Sequence, residues 1–199
     1  MNMFPQIMEN RRSTYNLSNE FVVSEEKTKE IIAHALKFTP TAFNAQEQRL
    51  VLLLGERHKW FWNQVKQNLK AIVPEADFPA TNERINGFLN GTGTVLFYQD
   101  TAVIAHLQEP FPLYKDNFPI WAQQVSGMLK YTVWTTLADS GYGANIQHYT
   151  EVVETDANKE LNINRDWKMV GQLVFGKAES DPNPDKTFEP IKKRLIVYK

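Results

Sequence analysis

Residues 120–140 carry the longest helical repeat in the chain. Trp121, Val125, Met128, Thr132, Val133, Thr136 and Leu137 recur at i, i+3, i+4 and i+7. Gly141 follows, a residue suited to the left-handed position after a helix C-terminus. About 20 helical residues span ~30 Å, roughly the width of a small domain. The remaining elements must therefore assemble around this rod, which is expected to serve as a core or as a dimer axis. With 199 residues and 42% hydrophobic content, the expectation is a single domain over 1–199 with one sizeable core.

Shorter signals surround it. Phe4, Ile7 and Met8 share a face of a helix ending near Arg11, and a loop is expected over 12–23. Ser24 is a plausible N-cap, with Glu25 and Glu26 in the first turn. Ile31, Ile32, Ala35 and Leu36 form the buried stripe of that helix, and Pro40 marks its exit. The apolar run Leu50–Leu54 reads as a strand buried on both faces. Phe61, Val65, Leu69 and Ile72 give a helix over 56–73, and a loop over 74–80 leads to a helix over 81–90. Thr94–Tyr98 and Met169–Phe175 read as strands, 101–108 and 150–161 as helices, and Tyr142–Tyr149 as strand or loop. Residues 178–186 read as a surface loop, and Leu195–Tyr198 as β-prone. Helices and strands mix with too few βαβ units for a parallel sheet, which predicts one α+β domain with helices around a small central sheet.

Composition narrows the function. Lys and Arg number 22 against 23 Asp and Glu, so no basic excess points to nucleic acid or an anionic membrane. No cysteine is present, which excludes disulfides, thiolate metal sites and cysteine nucleophiles and fits a reducing cytosol. The four histidines lack metal-ligand spacing. Arg11-Arg12 precedes a polar stretch rather than an apolar export segment, and no run reaches membrane-spanning length. The expectation is a soluble, cytoplasmic protein. The dinucleotide fingerprint, the P-loop, the nucleophile elbow and H-E-x-x-H are all missing, so an enzyme built on this chain would rely on a borrowed cofactor.

Three segments suit a phosphorylated flat heterocycle. Arg11-Arg12-Ser13-Thr14-Tyr15 offers two guanidiniums and two hydroxyls to a phosphate, although arginines also suit a solvated helix C-terminus. In Pro40–Gln46, Asn44 and Gln46 carry amides that donate and accept, as a flavin or pyrimidine edge requires, while an Asx-type turn explains the same residues. In Lys192-Lys193-Arg194, Lys192 and Arg194 share a face if the segment is extended.

Together these segments resemble the nitroreductase family of FMN flavoproteins, in particular its compact branch of fungal fatty-acid-repression proteins and bacterial stress-induced nitroreductases. Arg11-Arg12-Ser13 is similar to the opening R-R-S motif that holds the FMN phosphate and the pyrimidine side of the ring. Thr41–Gln46 resembles the P-S-x-x-N-x-Q stretch that reaches the flavin of the partner subunit. Gly141–Tyr149 resembles the G-L-G-A-x-L-Q-H-Y run beside the reactive edge, and Lys192-x-Arg194 the C-terminal K-x-R of the phosphate pocket. Tyr15 replaces a third arginine of the larger family, His148-Tyr149 replaces its glutamate–glycine pair, and Asn82 is matched to a flavin-ring asparagine. The resemblance implies a central mixed or antiparallel sheet flanked by helices, and a domain-entwined homodimer with FMN at the interface. It also implies ping-pong two-electron transfer from NADH or NADPH to a nitroaromatic or quinone. The cofactor-binding residues are then Arg11, Arg12, Ser13, Tyr15, Thr41, Asn44, Gln46, Asn82, Gln147, His148, Lys192 and Arg194, with no catalytic side chain and no metal. The alternative is a non-catalytic flavin-binding regulatory dimer.

Overall fold

The structure, a computed structural model, describes residues 3–180 and 186–199. The chain runs through α1 (Met3–Asn10), β1 (Leu17–Ser18), α2 (Glu25–Phe38), β2 (Gln48–Leu54), α3 (Gly55–Lys70) and α4 (Phe78–Leu89). It continues with β3 (Gly93–Asp100), α5 (Thr101–Gln108), α6 (Asn117–Asp139), β4 (Tyr142–Gln147), α7 (Thr150–Glu160) and β5 (Trp167–Ala178). The strands form one sheet of order β1-β5-β3-β2, with β4 also paired to β5. Every pairing between named strands is antiparallel. The fold is the α+β arrangement that the mixed pattern predicts.

Local chemistry sets the helix ends. Ser24 Oγ accepts from Lys27 N at 3.1 Å and so caps α2. Asp100 accepts from Ala102 N and Val103 N at the start of α5. Gly141 takes φ +91 after α6, a conformation that costs a glycine little.

The sheet sorts its side chains by alternation. From β3, Leu96 and Tyr98 enter a core with Phe61 and Trp62 of α3, Ile85 and Phe88 of α4 and Val153 of α7. Val95 and Phe97 point the other way, to Ile32 and Ala35 of α2 and Leu129, Val133 and Leu137 of α6. The long rod is thus a core element, packed against α2 and β4. In β5 the alternation breaks: Met169 and Val174, five apart, face the same core. A register shift opposite Phe97 and Tyr98 leaves Val170 as the extra residue of a β-bulge.

Residues 50–54 do pack on both faces of the sheet, Val51 and Leu53 on one side and Leu50, Leu52 and Leu54 on the other, but they are mostly half-buried because nothing among the described residues pairs with the outer edge of β2. Three expectations change. Ile72 lies past the end of α3 and is 68% exposed. On α6 the buried stripe runs through Phe118, Ala122, Val125, Leu129, Val133 and Leu137, leaving Met128 exposed and Thr132 half-buried, and the helix begins at Asn117 with Pro119 in its first turn. Leu195–Tyr198 forms no strand and lies exposed. Residues 12–23 hold the short β1, and 181–185 of the expected loop lie outside the described residues. Among the described residues, no helix is long and apolar enough to cross a membrane.

Candidate functional site

Past α1 the backbone settles onto β4. Ser13 forms a parallel bridge with Ala144, and Thr14 N donates to Ala144 O at 3.0 Å. Asn145, fully buried, holds two segments together. Its Nδ2 donates to Thr14 O at 2.7 Å, and its Oδ1 accepts from Gln147 Nε2 at 2.8 Å. The arginine-serine motif and the end of β4 are therefore one unit. Arg11 lies over the ring of Trp134, 4.1 Å from its centroid. Among the described residues, Arg11 Nε and Trp134 Nε1 are buried with no hydrogen-bond partner. Such orphaned donors are costly unless something accepts from them.

Beside this unit lies a cleft of about 660 Å³ between Tyr15, Gln147 and Ile146 on one side and Glu83, Arg84, Gly87 and Phe88 of α4 on the other. That space suits a flat tricyclic ring. Tyr149 sits just past β4, its ring edge-on to Trp62 at 5.8 Å and to Phe88 at 6.2 Å. Burial pushes the Tyr149 hydroxyl up, while Arg84, charged and hydrogen-bonded to it, pulls it down. Gln172, buried in β5, accepts from Tyr149 N at 2.8 Å and fixes the turn into α7. His148 is exposed at this turn. Its imidazole is pushed below the ordinary histidine value, first by burial and then by Lys130, with Glu151 opposing.

The Thr41–Gln46 loop forms a second group. Phe43, Asn44 and Gln46 all adopt positive φ, at 56°, 53° and 52°, a conformation that non-glycine residues hold only under constraint. The constraint is visible. Thr41 Oγ1 accepts from Gln46 N at 3.0 Å, and Arg49 donates to Gln46 O at 2.5 Å while pairing with Asp100 at 2.9 Å. The Phe43 ring seats among Phe111, Phe118 and Trp121. Thr41, Asn44 and Gln46 line a separate cleft of about 380 Å³ with Lys37, Arg49 and Leu129.

Lys192 and Arg194 lie on the exposed C-terminal tail, around a tight turn over Ile191–Lys193. The segment is not extended there. At about three residues per turn, positions two apart point in different directions, so the shared face is lost. Asn82 lies on the opposite side of α4 from Ala80, Glu83, Arg84 and Gly87, the positions that line the larger cleft.

One protomer thus gathers Arg11, Ser13, Tyr15, Gln147 and His148 around one region and holds Arg12 beside them in the chain. Thr41, Asn44 and Gln46 stand elsewhere, and Lys192 and Arg194 stand apart again. Sequence reasoning missed Asn145, Glu83, Arg84 and Lys130. The helical period offered a signal for α4: Ala80, Glu83, Arg84 and Gly87 fall on one face, two small residues flanking two charges. Among the described residues no group of three His, Asp or Glu is placed to hold a metal ion.

Comparison with known proteins places this geometry. The model described as the nitroreductase family matches residues 8–177. The nitroreductase FRM2 of Saccharomyces cerevisiae is 34% identical over 191 residues, covering 95% of this chain and 93% of that protein. The nitroreductase CinD from Lactococcus lactis, solved in complex with chloramphenicol, is 43% identical with a TM-score of 0.90, over 98% of this chain and 100% of that one. A nitroreductase with bound FMN from Desulfitobacterium hafniense shares the fold at 16% identity and a TM-score of 0.72, over 100% of each chain.

Proposed function

Because this chain belongs to the nitroreductase family and is an oxidoreductase, we propose that it works as a homodimer binding FMN and passing two electrons from NADH or NADPH to a nitroaromatic or quinone. One observation carries the reading: an arginine-serine segment with a buried orphan guanidinium nitrogen is tied through Asn145 to a cleft wide enough for a flavin ring. The residues present fit the group. Arg11 and Ser13 offer a guanidinium and a hydroxyl to the phosphate, and Arg12 and Tyr15 flank the approach to the ring. Glu83, Arg84 and Gln147 border the ring cleft with both donors and acceptors.

When bound, FMN supplies the hydride chemistry. The side chains bind and orient. Phe88, packed edge-on against Tyr149, lines one wall of the cleft, and Gln147 lines the other with His148 next to it in the chain, placed to orient the acceptor. Donor and acceptor need the same open face, so they enter in turn, which is a ping-pong order. The CinD structures hold chloramphenicol and 4-nitrophenol, and a flat nitroaromatic is the matching acceptor class here.

The second copy is needed because Thr41, Asn44 and Gln46 face a different cleft within one protomer. The surface supports this: Phe4 and Met8 of α1 and Ile120 and Met128 of α6 are exposed, and the tail carries exposed Ile191, Leu195, Ile196 and Val197. Apolar area on this scale marks an interface. The tail would bring Lys192 and Arg194 to the phosphate of the other copy. The deciding experiment is mass analysis of heat-released ligand, followed by NAD(P)H-driven reduction of a nitroaromatic and a quinone. The reading predicts FMN and turnover of at least one acceptor; FAD, or no turnover after reconstitution with FMN, overturns it.

A further inference from the structure

We propose that Lys130 is an electrostatic element of the reactive edge: a cation seated by the β5 bulge under the end of β4, where it acts on the Gln147–His148 segment. The inference rests on the assignment of that segment to the site.

The seat is built. The extra residue Val170 puts both itself and Gly171 on the α6 side of the sheet and turns its carbonyl out of the ladder. Lys130 Nζ donates to that carbonyl at 2.5 Å. Gly171 sits at φ +151, and a Cβ built there would lie 3.1 Å from both Lys130 Cε and Nζ and 3.4 Å from Gln147 O. The missing side chain at 171 is therefore the space the lysine occupies, directly under the end of β4. An ammonium has three donors, and one is spent on Val170. A half-buried lysine is expensive to keep, and burial lowers its pKa from the ordinary lysine value. The charges facing His148 are Lys130 from α6 and Glu151 from α7. Of the other nearby charges, Arg84 of α4 is committed to Tyr149, and Glu154 of α7 accepts from Met169 N. The lysine disfavours the imidazolium and the glutamate favours it. A neutral imidazole both donates and accepts, which suits orienting an acceptor, whereas an imidazolium only donates. Lys130 is a positioning residue acting through His148.

The test follows the His148 ring by NMR during a pH titration of the full-length apo protein. Lys130→Met should raise its midpoint by about half to one pH unit at low salt, and the difference should shrink at about 0.5 M NaCl. Lys130→Arg should keep the wild-type midpoint. An unchanged midpoint in Lys130→Met overturns the proposal, and so does Lys130→Arg behaving like Lys130→Met, which would mean packing alone matters. If Lys130→Met does not fold, wild-type protein carries the test: its His148 midpoint should rise with salt, and a fall would overturn the proposal. FMN added to the wild type should shift the His148 resonances. Without that shift the site assignment fails, and the placement at a reactive edge fails with it, while the Lys130–His148 coupling is read independently in the apo protein.

Discussion

Asn145 donates to the carbonyl of Thr14 at 2.7 Å from a fully buried position in β4. The same amide accepts from Gln147, so one side chain sets the distance between the N-terminal motif and the end of the strand. Asn145→Ala strands the Thr14 carbonyl and frees Gln147. A buried polar group left without its partner costs ~1–3 kcal/mol. Urea denaturation of the apo protein should show a loss of this size, and the FMN affinity should fall with it. Unchanged values in both would remove Asn145 from the site.

Arg11→Ala should weaken FMN binding by about ten- to a hundredfold, the worth of one charge-assisted contact of ~1.5–3 kcal/mol. Trp134→Phe keeps an aromatic face under the guanidinium and should cost less. Quenching of flavin fluorescence during titration measures both. Equal losses would mean that Arg11 acts through packing on the helix.

On the C-terminal tail, Arg194→Ala should lower FMN affinity by a similar factor, whereas Lys193→Ala should change it little. The reason is the turn rather than an extended face: Lys193 Nζ pairs with Glu189 at 3.2 Å, both well exposed, and such a pair contributes little. Isothermal titration of the two variants separates them. Equal effects would show the cluster acting only as diffuse charge.

Light scattering at low micromolar concentration should give twice the 23.0 kDa chain mass. Removing residues 195–199 deletes the exposed Leu195, Ile196, Val197 and Tyr198 and should shift the protein toward monomer with loss of flavin. A truncated chain that stays dimeric and yellow would exclude the tail from the interface.

His58 sets an acid limb of stability. It is buried, hydrogen-bonded through Nδ1 to Thr94 Oγ1 at 2.8 Å, and the same hydroxyl accepts from Trp62 Nε1 at 2.8 Å. Burial pushes its pKa down to about 4 from 6.5, against the opposing pull of the Leu89 and Phe88 backbone. Below pH 6.5 the unfolded chain takes up a proton that the folded one refuses. The stabilisation is therefore complete above pH 6.5 and is lost as pH falls toward 4, by about 3 kcal/mol in total. Urea midpoints at pH 7.5 and pH 5 should differ in the wild type, and His58→Asn should flatten the difference. An equally steep limb in the variant would assign it to other groups.

Much of the fold was legible because it is written in local terms. Ser24 capping α2, Gly141 ending α6 and the helices over 101–108 and 150–161 depend on side chains within a few residues of each other. The motif at Arg11–Ser13 and the run ending in Gln147-His148-Tyr149 were likewise readable as chemistry. What escaped was whatever depends on neighbours distant in the chain. Leu50–Leu54 reads the same whether a strand lies inside a sheet or at its edge, since apolar content reports burial and not the number of paired sides. Asn82 and Arg84 sit two apart on one helix, and only the packing of α4 against α3 decided which of them borders the cleft.

The amino-acid sequence by itself determined the Ser24 cap of α2, the stop of α6 at Gly141 and the residue types available to hold a phosphate and a flat ring, because each follows from backbone preference and side-chain chemistry at short range. Tertiary structure alone decided that Thr14 and Asn145 meet, that β5 bulges at Val170, and that Lys130 fills the space Gly171 leaves. Those contacts join residues 40 or more positions apart, and their energy appears only when the sheet pairs and the helices close over it.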